Sequence, residues 1–228
     1  MANPKYSAFW AGVRAESPIL LGVFPFGMIY GALARDAGLS AAASQAMSSI
    51  VFGGASQFIA AKLIRESAPA LVIALTIAVV NLRHLLYSAS VAEHVRALPM
   101  RWKVALAYLL TDEAYAAAIV HYEEEGTTPH GHWFFLGAGL ALWTCWQVST
   151  ALGVFAGAAI PPSWRLDFAL PLTFLAMVVP TLKDRASAGA ALVGGVAAVV
   201  FFAFPYKLGI LAAAFAGIAA GLLLEKKA

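Results

Sequence analysis

Residues 126–164 read GTTPHGHWFFLGAGLALWTCWQVSTALGVFAGAAIPPSW, and no Asp, Glu, Lys or Arg occurs among them. The run is longer than the roughly 20 residues a helix needs to cross a bilayer. It is continuous and rich in Ala, Leu and Gly. A membrane barrel would instead show alternating strands of about ten residues, so helices are the expected element. Charge-free runs recur at 17–34, 37–61, 67–82, 186–206 and 208–224.

Composition agrees with that stretch. Of 228 residues, 61% are hydrophobic and 12% charged, with a mean hydropathy of +0.79. An average soluble domain carries about 25% charged residues. These values exclude a disordered chain, a collagen, a disulfide scaffold and a nucleic-acid arm, and leave too few ionic groups for a soluble surface. The fold class expected is an all-α polytopic transmembrane helical bundle in a lipid bilayer, with 1–228 as one integral membrane domain. The net charge of +3 is what basic cytoplasmic loops give a membrane protein and is no argument for nucleic acid. Cys145 is the sole cysteine, so no cysteine-based metal or redox motif is expected and no cofactor is implied.

Eight membrane segments are expected, seven being the alternative: roughly 17–35, 39–62, 68–92, 103–121, 132–158, 166–182, 186–204 and 206–224. The run from Ser17 is too long, and too broken by Pro25 and Gly27, for a cleaved signal, and reads as the first span. The longest polar stretch, His121 to His132, is expected to be a solvated loop. Its histidines and glutamates do not have zinc-ligand spacing. With eight spans, Lys5, Arg14, Lys62, Arg65, Lys183, Arg185, Lys226 and Lys227 share one side. Arg35, Arg96, Arg101, Lys103, Arg165 and Lys207 lie opposite, which favours cytoplasmic termini. Two related halves, 17–122 and 132–224, are suggested by Gly54-Ala55-Ser56-Gln57-Phe58 and Leu170-Pro171-Leu172-Thr173-Phe174. Each lies in the second segment of its half, and interrupted helices at matching places mark transporter sites. Gly217 and Gly221 form a G-x-x-x-G packing face that a partner could use.

Polar residues at membrane depth are functional candidates. In Asn81-Leu82-Arg83-His84-Leu85-Leu86-Tyr87, Arg83 follows sixteen uncharged residues, 67–82. A guanidinium there suits a carboxylate bidentately, and an imidazole suits a proton. If the stretch is helical, Asn81, His84 and Ser88 share one face and Arg83 and Tyr87 another. The alternative is that Arg83 snorkels to headgroups. Thr111-Asp112-Glu113 interrupts a helix running from Val104 to Val120. Its adjacent carboxylates point about 100° apart, so only one faces a given cavity. They suit an amino group, a cation or a proton, the structural alternative being an Arg83–Asp112 ion pair. Gly53-Gly54-Ala55-Ser56-Gln57 weakens a helix and frees backbone N–H groups that suit a carboxylate, the alternative being close packing.

In this order, Phe24-Pro25-Phe26-Gly27, Gly53-Gly54-Ala55-Ser56-Gln57-Phe58, Asn81 to Tyr87, Thr111-Asp112-Glu113 and Leu166 to Phe174 resemble the AzlC family of bacterial branched-chain amino acid permeases. The resemblance runs from about 17 to 224. It implies an inner-membrane exporter of valine, leucine and isoleucine acting with a small hydrophobic AzlD-family membrane subunit. A zwitterionic substrate needs an anion site, a cation site and an apolar pocket. Arg83 and the 53–57 backbone are assigned to the carboxylate, and Asp112 or Glu113 to the ammonium. Phe58, Leu172 and Phe174 are assigned to the side-chain pocket. Asn81, His84 and Thr173 complete the candidate set. Energy is expected from an ion gradient, because the G-x-x-x-x-G-K-[ST] loop is absent. Rival classes are a non-transporting assembly subunit and an intramembrane enzyme. The latter is disfavoured by the lack of G-x-S-x-G and H-E-x-x-H.

Overall fold

The computed structural model describes residues 3–156, 182, 184–204 and 208–225. The chain forms two compact units, Met1–Trp164 and Arg165–Ala228. All described elements are helical: α1 Pro4–Asp36, α2 Ala41–Val51, α3 Gly54–Arg65, α4 Ala70–Val80, α5 Arg83–Val95, α6 Met100–Tyr108, α7 Asp112–Glu125, α8 Gly131–Ala156, α9 Arg185–Val200 and α10 Leu208–Glu225. Among the described residues, three stretches are long and apolar enough to cross a membrane: α1, Ala70–Val95 and α8. The expected segment 166–182 lies almost entirely outside the described residues, as do the second half of the suggested repeat and the sites at Leu172, Thr173 and Phe174.

Helix α1 begins well before the expected position 17. Asn3 caps it, its side chain accepting from the Lys5 N–H at 3.1 Å, and Pro4 supplies the first turn. Phe9, Gly12 and Glu16 lie on the face that meets α8 and α7. Pro18 withholds an N–H from the Arg14 carbonyl, and the Ser17 hydroxyl donates to that carbonyl instead at 2.8 Å.

Helices α1 and α8 form the spine and run parallel. A Cβ on Gly12 would meet the Phe134 carbonyl oxygen, and one on Gly31 would meet that of Thr150. The same substitution at Gly137 would strike the Phe9 carbonyl, and at Gly153 the Met28 carbonyl. Only glycine lets the two backbones approach this closely, which is how helices gain packing energy where lipid supplies no hydrophobic drive.

The expected spans at 39–62 and 103–121 are corrected by the structure: each is a pair of helices that folds back. A straight helix from 41 to 65 would separate its ends by about 36 Å. Instead Arg65, at the end of α3, pairs with Asp36, at the end of α1, at 2.7 Å. Phe58 meets Phe26 and Tyr30 at centroid distances of 4.5 and 5.9 Å, so α3 runs back along α1. The α6–α7 pair enters from the other end. Trp102 lies 4.9 Å from Trp133, and His121 stacks on Phe134 at 3.9 Å, so both ends meet the start of α8. The stretch His121–Glu125, expected as loop, is the last turn of α7.

In the other unit, α9 and α10 form an antiparallel hairpin. Gly217 packs on Ala190 and Gly194, and Gly221 on Ala190. The G-x-x-x-G face is thus used within the chain.

Two predictions follow from this packing. In a Cys145→Ala background, cysteines placed at Gly38 and Ser67 react with an impermeant thiol reagent from one membrane side. Those at Ala97 and Thr127 react from the other. A full span at 39–62 would instead put Gly38 and Ser67 on opposite sides. Gly137→Val lowers the thermal midpoint of the detergent-solubilised protein, by roughly 1–3 kcal/mol or more of stability. Gly22→Ala, in open space, holds or raises it by up to about 1 kcal/mol.

Candidate functional site

Helix breaks at membrane depth free backbone groups that lipid cannot satisfy. Among the described residues of the first unit, three such breaks occur: at Phe52-Gly53, at Asn81-Leu82 and at Leu109-Leu110-Thr111. They converge. Phe52 packs on Tyr108 at 5.9 Å, joining the two hairpin tips. The Ser56 hydroxyl donates to Asn81 Oδ1 at 2.5 Å, tying the first tip to the second break. Arg83 pairs with Asp112 at 2.5 Å, tying that break to the second tip.

The first tip is held by side chains replacing a helical ladder. Phe52 caps α2 in the left-handed region at φ 39°, an uncommon conformation for a bulky residue. The Ser48 carbonyl accepts from the Gln147 amide at 3.2 Å, and the Ser49 carbonyl accepts from the Tyr108 hydroxyl. Tyr108 in turn accepts from the Trp143 indole at 2.7 Å. Gln147 Oε1 also accepts from Gln45 and Ser49, at 2.8 and 2.9 Å. Ser48 and Thr150 share a hydroxyl contact at 3.1 Å. On the far side of the break, Gln57 Oε1 accepts from the Gly53 N–H at 3.2 Å and from the Trp146 indole at 3.1 Å. Helix α3 has no side-chain cap, so its first-turn amides face the break.

The second tip carries the charge. Thr111 caps α7, its hydroxyl accepting from the Ala114 N–H at 3.4 Å. Asp112 and Glu113 occupy the first turn, where carboxylates complement the helix dipole. The Arg83 and Asp112 side chains are 27% and 21% exposed. Arg83 Nε and Asp112 Oδ1 have no hydrogen-bond partner, so the pair is monodentate with one free valence at each end. Tyr87 stacks on Tyr115 at 4.6 Å, and the Tyr115 hydroxyl donates to Ser90 Oγ at 3.0 Å, aligning α5 with α7.

The structure brings Gly53, Gly54, Ser56, Gln57, Asn81, Arg83, Asp112 and Glu113 to these converging breaks. His84 lies beside them, 5.9 Å from Tyr87 and within electrostatic reach of Arg83 and Asp112. Arg83 and Tyr87 both turn to α7, as their shared face predicts. Phe58 is placed differently from its expected role. It is 4% exposed and packed in an aromatic cluster with Phe26 and Tyr30, and so forms core. Sequence reasoning missed Gln45, Tyr108 and Gln147, lone polar residues on apolar helices. It also missed Glu16, a fully buried carboxylate within electrostatic reach of Glu113.

An apolar helical bundle with long hydrophobic spans and broken helices meeting at a part-buried ion pair defines a multi-pass membrane protein. The AzlC protein family model matches residues 18–160, and the chain belongs to the AzlC family of membrane transport proteins, which is not a family of enzymes. It is 29% identical over 228 residues to "Inner membrane protein YgaZ" of Escherichia coli, covering 96% of this chain and 90% of that one. It is 33% identical over 219 residues to a membrane protein of Archaeoglobus fulgidus, covering 93% and 94%. It is 26% identical over 211 residues to "Branched-chain amino acid transport protein AzlC" of Bacillus subtilis, covering 87% and 80%. No solved structure matches it.

The ion pair makes a direct prediction. Arg83→Gln and Asp112→Asn each destabilise the folded protein, and the double variant loses less than the sum. A coupling of about 0.5–3 kcal/mol is expected from a double-mutant cycle read by chemical unfolding.

Proposed function

We propose that this chain is an inner-membrane exporter of branched-chain amino acids, acting with a small AzlD-type membrane subunit and driven by an ion gradient. The substrate class is supported by the name of the Bacillus subtilis relative, and the inner-membrane location by that of the Escherichia coli relative. The AzlD-type subunit comes from the family resemblance.

The observation that carries the reading is the Arg83–Asp112 pair at the meeting point of three helix breaks. A zwitterion matches this pair group for group. Its carboxylate replaces Asp112 on the Arg83 guanidinium, assisted by the free first-turn amides of α3. Its ammonium replaces Arg83 on Asp112. The internal pair closes the site when it is empty, and the substrate opens it without leaving an uncompensated charge. Phe52, at the strained tip, supplies an apolar wall for the branched side chain, in place of Phe58. Thr173 and Phe174 remain proposed lining residues.

Lys5, Arg96, Arg101 and Lys103 lie toward the α1 N-terminal end, and Arg35, Lys62 and Arg65 toward the other. That bias supports a cytoplasmic N-terminal end. Alternating access then follows from the two hairpins, which enter from opposite ends and meet at the site.

The test is counterflow of labelled valine in proteoliposomes, with and without the small subunit. Saturable flux competed by leucine and isoleucine is the expected result. Arg83→Ala inserts normally but loses flux by roughly 10- to 100-fold, the equivalent of a charge-assisted hydrogen bond. Wild-type-like flux from a well-expressed Arg83→Ala removes the residue from the site.

A further inference from the structure

The charge balance around the site does not close. Asp112 takes up Arg83 at 2.5 Å. Glu113 lies in the field of both. Behind it, on α1, Glu16 is 0% exposed, and both of its carboxylate oxygens lack any hydrogen-bond partner. Glu113 is the charged group acting on it.

On α7 the other titratable rings are engaged elsewhere, His121 lying 3.8 Å from Glu125, Tyr122 stacked on His94 and Tyr115 on Tyr87, and the remaining elements packed on α1 bring no cation to Glu16. Arg14 is exposed and two residues away, on the opposite side of the helix. Helix α8 contributes only Cys145, whose thiol is directed at the Leu20 carbonyl, and His132 at its start. Helix α2 has no titratable side chain. The cations of α3, Lys62 and Arg65, stand at the other end of α1, where Arg65 meets Asp36. An ionised carboxylate buried without a partner is prohibitively costly, and two in each other's field more so. A metal ion would need several oxygen ligands, and no group of three or more metal-ligating side chains occurs among the described residues.

We propose that Glu16 is a proton-binding site, with Glu113 as its electrostatic partner, through which proton movement is coupled to transport. A water proton from one side forms the Glu16 O–H bond, and that bond breaks when the site opens to the other side. In this conformation Glu16 is sealed from both sides between α1, α7 and α8, as an occluded coupling group must be. The link from Glu113 through Asp112 to Arg83 gives the proton a path of influence on the substrate site. Loading Glu16 reduces the negative charge competing for the ammonium, so proton and substrate occupancy depend on one another. Only this coupling rests on the transport reading. The proton site itself does not.

Two measurements test it. The first needs no substrate: pH-dependent infrared difference spectra of the full chain in lipid. Wild type is expected to show a protonated carboxyl C=O band that is absent in Glu16→Gln and that responds to pH differently in Glu113→Gln. A band unchanged in Glu16→Gln overturns the proposal. The second is valine flux in proteoliposomes. Glu16→Gln, isosteric and neutral, is expected to keep counterflow within a few-fold of wild type and to lose its acceleration by an imposed pH gradient. Acceleration equal to wild type overturns the coupling, and a sodium gradient substituting fully for the proton gradient overturns the choice of ion. Absence of valine flux in wild type counts against the transport reading alone, because the infrared result still decides the site.

Discussion

Lipid offers no hydrogen bonds, so every backbone group freed by a broken helix at membrane depth must find a protein partner. The rest of the first unit is arranged around that requirement. Gln147 and Tyr108 take the carbonyls that α2 leaves open, Gln57 takes the Gly53 amide, and Thr111 caps α7. These groups hold their positions because α8 is pinned to α1 by backbone contact at Gly12, Gly31, Gly137 and Gly153. Remove that contact and Gln147 and Trp146 lose their register with the first hairpin tip, and Trp143 with the second.

The same geometry concentrates charge where a bundle of unbroken helices would exclude it. Helix N-termini at α3 and α7 aim at the centre, and Arg83 reaches it from the second break. A part-buried ion pair of this kind adds little net stability over an apolar pair of the same shape. Its retention at the junction of two opposed hairpins fits a role in exchanging partners with a solute. The pair is monodentate, which leaves Arg83 Nε and Asp112 Oδ1 available for such an exchange.

Much of this was legible in the sequence. The charge-free runs gave the membrane class and α-helical fold, because burying an ionised side chain in hydrocarbon is costly enough to shape composition. The Gly53-Gly54, Asn81–Arg83 and Thr111–Glu113 stretches stood out because each breaks an apolar run with residues that disfavour a lipid-facing helix. What remained hidden was direction. A run of apolar residues reads the same whether it crosses the bilayer or turns back inside it. The hairpins at 41–65 and 100–125 were therefore read as spans.

By itself, then, the sequence determined the solvent of this protein, its helical class and the helix breaks near Gly53, Asn81 and Thr111, since these follow from local composition and backbone propensity. Only the tertiary structure decided that the breaks meet, that Arg83 is matched by Asp112 rather than by headgroups, and that Glu16 belongs to the interior rather than to the membrane edge. Those outcomes depend on which helix faces which. That is set by the close approach of α1 to α8 and by the fold-back of the two hairpins, contacts between residues far apart in the chain that no local pattern encodes.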